Sequence, residues 1–311
     1  MEESTGRILR IDAKQCLVAF QGKTLAVPLA GKLFKKKNRT KRPVAVGDLV
    51  RLSTDPSGET RIEEVLPRKN RLARATAGEG KREQVLVANI DQCLLVSSLR
   101  HPPFRPRLVD RILTGCEREG IPAILILNKL DLEQQGAGTP AKPPFESAVR
   151  IAEFYEGLGY PCLATSSVTG AGIDALRELL RDKVSVVTGL SGVGKSSLLN
   201  AVEPGLSLLT SEISDKHLEG RHTTTSSSLI PLSFGGHVVD TPGIRNFAHF
   251  QLEARELGHY FPEFREAEEG CAFDDCSHTH EPRCGIKAAL EDGRIHPSRY
   301  ASFLELLSEV Q

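Results

Sequence analysis

Two short stretches of this 311-residue chain carry phosphate and base chemistry. Gly189-Leu190-Ser191-Gly192-Val193-Gly194-Lys195-Ser196 is a complete G-x-x-x-x-G-K-S. Its glycines let backbone N–H groups close on phosphate oxygens, Lys195 reaches the β- and γ-oxygens, and Ser196 offers its hydroxyl to Mg²⁺. Gly189, Ser191, Gly192, Val193, Gly194 and Ser197 complete the expected phosphate-binding set. Such a loop does not tell ATP from GTP. Asn128-Lys129-Leu130-Asp131 does. The Asp131 carboxylate can accept from the N1–H and N2–H₂ of guanine, a donor pair that adenine lacks. The stem of Lys129 can cover the base, and Asn128 can tie this loop to the phosphate loop. Thr165-Ser166-Ser167 resembles the small-residue loop whose backbone N–H groups meet the guanine O6, which adds Ser166 and Ser167 to the nucleotide contacts. An ordinary Ser-rich surface loop is the plainer alternative.

Two further stretches belong to the same chemistry. In Asp240-Thr241-Pro242-Gly243, Asp240 would hold Mg²⁺ through water and the Gly243 N–H would sense the γ-phosphate. In Gly220-Arg221-His222-Thr223-Thr224-Thr225, one threonine should meet Mg²⁺ when GTP is bound, with Thr224 preferred over Thr223. Ras-like enzymes orient the attacking water with a Gln just after D-x-x-G. This chain has Ile244 there, which can neither donate nor accept, so slow intrinsic hydrolysis is expected. His222, beside the threonines, is the candidate for that role, and a solvent-facing loop histidine is its plainer one. The expected catalytic groups are therefore Lys195, His222 and Gly243.

A separate chemistry sits near the C-terminus. Cys271-x4-Cys276-x-His278-x5-Cys284 offers three thiolates and one imidazole, which suits a closed, tetrahedral, structural Zn²⁺ site. His280 is a competing ligand two residues from His278. The surrounding segment reads as poor in apolar residues, so the metal is expected to help it fold.

These residues need elements to hold them. Residues 5–67 read as about five short strands punctuated by Gly22, Gly47 and Gly58, the pattern of a small barrel. Between the third and fourth strands, Lys32 to Arg42 is dense in Lys and Arg and holds no acid, which suits a nucleic-acid phosphate backbone; a merely solvated loop is the alternative. From Gln92 onward, apolar strands alternate with helical patterns, implying a mostly parallel sheet covered by helices. The phosphate loop follows the strand Val184 to Thr188 and opens a helix. The guanine reader follows the buried strand Ile121 to Leu127, where ligands sit in such sheets. After Phe250 the chain turns acidic and helical. The guanine reader precedes the phosphate loop, whereas Ras-like chains run the other way. The same sheet can be built from such a rotated connectivity.

Taken together, the rotated order, Gly189 to Ser196, Gly220 to Thr225, Asp240 to Gly243 and the Cys/Cys/His/Cys spacing resemble the ribosome small-subunit-dependent GTPase A family (RsgA, also called YjeQ), over nearly the whole chain. The resemblance implies a multidomain fold. An N-terminal OB-fold β-barrel would span residues 1–68, and a circularly permuted α/β P-loop GTPase domain residues 69–250. A C-terminal α-helical zinc-binding domain would span residues 251–311. It implies a bacterial GTP hydrolase that binds the 30S subunit and its 16S rRNA, acts late in small-subunit maturation and works faster when bound there. Its cofactors would be GTP/GDP, Mg²⁺ held by Ser196, Thr224 and Asp240, and one Zn²⁺ on Cys271, Cys276, His278 and Cys284.

Composition sets the outer bounds. The chain is 40% hydrophobic and 26% charged, ordinary for a globular protein and far from a disordered one. No apolar run is long enough for a membrane helix. No secretory signal is legible, so a cytoplasmic location without membrane attachment is expected. Seven cysteines in such a compartment argue against a disulfide framework. Net charge is zero, yet residues 1–82 carry 19 Lys/Arg against 9 Asp/Glu, and residues 251–311 carry 6 against 13. A basic front and an acidic rear point to different partners at the two ends. Nothing suggests a dimer, so a monomer is expected. The rival reading, a P-loop enzyme such as a nucleotide kinase, is disfavoured by Asp131 and Asp240.

Overall fold

A computed structural model describes residues 5–12, 15–28, 43–56, 58–75, 83–134, 145–206, 227–240 and 253–310. The strands are β1 (Thr5–Ile11), β2 (Gln15–Phe20), β3 (Lys23–Pro28), β4 (Leu49–Thr54), β5 (Thr60–Val65), β6 (Arg71–Ala75), β7 (Glu83–Ala88), β8 (Gln92–Ser98), β9 (Ala123–Asn128), β10 (Cys162–Ala164), β11 (Val184–Thr188), β12 (Ser228–Pro231) and β13 (His237–Asp240). The helices are α1 (Pro106–Glu119), α2 (Leu130–Gln134), α3 (Ala148–Gly157), α4 (Ile173–Leu180), α5 (Lys195–Val202), α6 (Pro262–Glu268), α7 (Gly285–Glu291) and α8 (Pro297–Val310). They pack as two units, each drawn from several segments. One takes residues 1–92, 175–187 and 199–246, the other residues 93–174, 188–198 and 247–311. No helix among the described residues is long and apolar enough to cross a membrane.

In the first unit, alternation of apolar and polar residues makes β1, β2 and β3 an antiparallel meander. Gln21 and Gly22, both at positive φ, form the two-residue turn between β2 and β3. β4 pairs with both β1 and β5. Ile8, Cys16, Val18, Val27, Val50, Leu52 and Ile62 fill the shared core. The basic stretch Lys32 to Arg42 lies outside the described residues. Two features of this unit have no counterpart in the sequence reading. One is the β6–β7 hairpin, a separate two-stranded sheet. The other is β12, which is antiparallel to β13 and also to β1, through Arg10 opposite Ser228. β11 and β13 run parallel.

In the second unit, β8, β9 and β10 are parallel, with Ser98 opposite Asn128 and Ala164 opposite Leu127. Every residue of β8 is buried, as a parallel strand covered on both faces requires. Pro106 starts α1, where a missing N–H costs nothing, and Gly120 ends it at φ 62. The Ser147 hydroxyl caps α3 by accepting from the Arg150 N–H at 3.2 Å.

The acidic end of the chain is helical as expected, but it is not poor in apolar mass. Leu257, Phe261, Phe264, Ile286, Ala289, Ile295, Phe303, Leu306 and Leu307 form a buried core. Periodicity spread over two seven-residue helices, α8 and two 3₁₀ turns hid that core from the sequence. A buried charge cluster stands beside it. The Arg299 guanidinium donates to Asp110 Oδ1 of α1 at 2.6 Å and to Glu263 of α6 at 2.5 and 3.1 Å. It also lies over the Phe261 ring, 4.6 Å from the centroid. Tyr155 donates to Asp110 at 2.9 Å, and Ser302 donates to its second oxygen. Burial alone would lower the Arg299 pKa, but the two carboxylates outweigh it and raise it. Removing the arginine alone would leave Asp110 buried without its cation. Arg299→Met is therefore expected to cost about 3–5 kcal/mol of stability, read from the urea midpoint. A loss below about 1 kcal/mol would show the cluster to be dispensable.

Candidate functional site

The nucleotide motifs meet within the second unit. Asn128 ends β9, and its buried side chain reaches across 65 residues of chain to the phosphate loop, where Nδ2 donates to the Val193 carbonyl at 2.8 Å. Its Oδ1 accepts from the Thr165 hydroxyl at 3.2 Å. One amide thus fixes the guanine reader, the phosphate loop and the 165–167 loop against one another.

The glycines explain how the loop closes this tightly. Gly189 has φ 138, and a Cβ there would overlap the Val96 carbonyl oxygen. Gly194 has φ 95, and a Cβ there would overlap Asn128 Nδ2. Val193 is buried, whereas Ser191, Gly192, Ser196 and Ser197 are exposed at the loop and the first turn of α5. Lys195 Nζ donates to the Gly189 and Leu190 carbonyls at 3.0 and 2.7 Å, so the ammonium is drawn over the loop itself.

The base reader is equally supported. Asp131 is buried at the start of α2 and accepts from the Ser166 hydroxyl at 2.5 Å. The same hydroxyl accepts from the Val168 and Thr169 N–H groups at 3.3 and 3.2 Å. The Ser166 side chain therefore orients the Asp131 carboxylate. The sequence reading gave this loop only backbone contacts. Lys129 sits at φ 65, and its ammonium donates to the His101 carbonyl. The segment after β8 was not foreseen as a support. Ser167 is half-buried in the same loop.

Asp240 is the last residue of β13. His222, Thr223, Thr224, Gly243 and Ile244 lie outside the described residues.

The cysteine cluster is assembled. The Sγ atoms of Cys271, Cys276 and Cys284 and a ring nitrogen of His278 all lie within 4.8 Å of one another. His278 Nδ1 is 3.6 Å from both Cys271 Sγ and Cys284 Sγ. Ligands about 2.0–2.3 Å from a tetrahedral Zn²⁺ are spaced this way. Burial pushes the Cys276 thiol up to about 12, and the neighbouring thiols add to it. Cys284 precedes α7. Burial works against its thiolate, but the N–H groups of Lys287 and Ile286 and its neighbours His278 and Cys276 bring its pKa below the ordinary thiol value. The donor set fits one structural zinc. His280, the competing ligand, is 84% exposed and is bonded to Thr279, so His278 takes the position.

Comparison with known proteins supplies a family. The family model described as RsgA GTPase matches residues 65–250. A small ribosomal subunit biogenesis GTPase RsgA of Bacteroides fragilis is 37% identical over 288 residues, 93% of this chain and 91% of that one. The crystal structure of YjeQ from Thermotoga maritima superposes with a TM-score of 0.78 at 34% identity, covering 99% of this chain and 98% of that one. YloQ, described as a circularly permuted GTPase, superposes with a TM-score of 0.72 at 31% identity, covering 98% and 94%.

Gly194→Ala tests the bridge. The added methyl must displace the Asn128 amide from Val193, and loss of a buried hydrogen bond costs about 1–3 kcal/mol. Guanine-nucleotide affinity should fall about tenfold or more by calorimetry. Gly157→Ala, where a methyl meets nothing within 4 Å, should leave it unchanged. Equal affinities for the two variants would sink the bridge.

Proposed function

The chain belongs to the RsgA GTPase family, and from that premise we propose that it hydrolyses GTP to GDP and phosphate while bound to the 30S ribosomal subunit, assisting late small-subunit maturation. The observation that carries this reading is the Asn128–Val193 bond, which brings a guanine-selective motif and a phosphate loop into one site despite their reversed order. The relatives support the ribosomal half, since the Bacteroides protein is named for small-subunit biogenesis.

In this reading Asp131, oriented by Ser166, selects guanine. Lys129 covers the base, Ser167 lines it, and the loop from Gly189 to Ser197 cradles the phosphates, with Lys195 moving from its loop carbonyls onto the β- and γ-oxygens. Ser196, Asp240 and Thr224 would hold Mg²⁺, with Thr223 the alternative to Thr224, and the metal would supply positive charge to the phosphate oxygens. The Gly243 N–H would meet the γ-phosphate. With Ile244 where a Gln would stand, His222 orients the attacking water. One zinc on Cys271, Cys276, His278 and Cys284 is structural, since four protein ligands leave no open position.

We divide the chain into an N-terminal OB-fold at 1–68, a circularly permuted GTPase domain at 69–250 and a zinc-binding helical domain at 251–311. The β1–β5 pairing supports the first of these, and its basic loop at 32–42 is the proposed contact with 16S rRNA. The protein would act as a cytoplasmic monomer.

The test is GTP turnover alone and with purified 30S subunits, across a salt series. Strong stimulation that fades as salt rises is expected, because phosphate contacts release counterions. No stimulation, with guanine-nucleotide binding intact, would remove ribosome assembly from the reading. In the same assay, His222→Ala should lose about a hundredfold of the stimulated rate at unchanged nucleotide affinity, the lower end of what a positioned proton-transfer group contributes. Full turnover in that variant would assign water positioning elsewhere.

A further inference from the structure

The zinc ligands are fixed by more than their own spacing. His278 presents Nδ1 to the thiols of Cys271 and Cys284, so its other nitrogen, Nε2, points away from the cluster. Nε2 faces Glu268 Oε1 at 3.6 Å, at the last residue of α6. The backbone enforces that meeting. Gly258 lies in a 3₁₀ turn packed against both groups, where a Cβ would overlap Glu268 Oε1 and stand 3.3 Å from His278 Nε2. On its other sides the histidine is held by Phe303, with ring centroids 6.0 Å apart, and through its carbonyl by the Tyr300 hydroxyl at 2.7 Å.

We propose that Glu268 is a positioning residue for the metal centre: its carboxylate takes the His278 Nε2–H, fixing the tautomer in which Nδ1 is the free ligand. A neutral imidazole has one N–H, and whichever nitrogen carries it cannot bind a metal. An anion at Nε2 holds the proton there and makes Nδ1 the better donor. Glu268 lies three residues before Cys271 and outside the Cys/His motif, so no ligand spacing points to it. Gly258 has the complementary duty of leaving room for the carboxylate beside the ring.

This rests on the zinc reading, and the experiment separates the two. The full-length protein is purified with zinc, and metal content is measured first. A wild-type chain without zinc would refute the zinc reading itself. Zinc transfer to a chromophoric chelator is then followed for wild type, Glu268→Ala, Glu268→Gln and Gly258→Ala, with guanine-nucleotide affinity as the check on folding. Glu268→Ala should release zinc about tenfold faster, the lower end of outer-shell effects on metal affinity. Gly258→Ala, which displaces the carboxylate, should shift the same way. Glu268→Gln keeps an acceptor oxygen and should restore most of the retention. Long-range ¹H–¹⁵N spectra of the His278 ring should show Nε2–H in wild type and Glu268→Gln, with that signal broadened or lost in Glu268→Ala. Zinc bound one to one, with equal release rates and an unchanged ring spectrum in Glu268→Ala, would overturn the role of Glu268 and leave the zinc site standing.

Discussion

A guanidinium can leave water only if anions replace its hydration shell, and Arg299 shows what that demands. Its side chain is 1% exposed, so its partners must come from the fold itself. They come from two places in the chain, Asp110 in α1 and Glu263 in α6, with Tyr155 and Ser302 completing the shell of Asp110. The cluster thus fastens the C-terminal helices to the helix that follows β8. Arg107 and Arg111 reach Glu305 and Glu309 along the same pair of helices, but those exposed pairs contribute little by comparison. A hydrophobic contact would tolerate small shifts between α1 and α8. A buried charge with fixed hydrogen-bond directions does not, so it sets the register of everything packed on either side.

The nucleotide site depends on a smaller version of the same logic. Reversing the order of the motifs leaves the parallel pairing of β8, β9 and β10 intact, because each loop still leaves the carboxyl end of its strand. What the reversal changes is how the loops are tied. Among the described residues α3, β10, α4 and β11 separate the guanine reader from the phosphate loop, so chain connectivity cannot hold them together. Asn128 does so with both ends of one amide, and Gly194 must lack a side chain for that amide to fit.

The legible parts of this protein were those where one residue type has one chemical use. Gly189 to Ser196 and Asn128 to Asp131 could be read because glycine at positive φ and the aspartate of an N-K-x-D motif have few substitutes. The strands β1 to β5 followed from simple alternation, and the Cys/His cluster from ligand spacing. What stayed hidden depends on contacts between distant residues. Ser166 looked like one serine among several, and only its meeting with Asp131 gives the hydroxyl a purpose. The edge pairing of β12 with β1 rests on a single register position, which no local pattern signals. The β6–β7 hairpin spans a connection of seven residues without a tight-turn signature.

The acidic C-terminal region sharpens what a metal would contribute. A segment without its own core folds only when the ion binds, as small zinc modules do. This region has a core of its own, in which Phe261 stacks on Phe264, Phe303 meets both rings at an angle, and Cys284 belongs to the same buried cluster. The stretch from Cys271 to Pro282 is different. It carries no helix or strand, and its exposed Phe273, Asp274 and Asp275 bury little. Zinc bound to Cys271, Cys276, His278 and Cys284 would therefore act chiefly on this loop, pinning it to the start of α7 and to a scaffold that already stands. The Gly285 N–H donating to Cys271 Sγ at 3.3 Å and Glu281 accepting from Ser277 and Thr279 organise the same loop from within. Metal loss should then free a surface loop while the buried Arg299 cluster keeps the helices in place, because none of the cluster's hydrogen bonds passes through a zinc ligand.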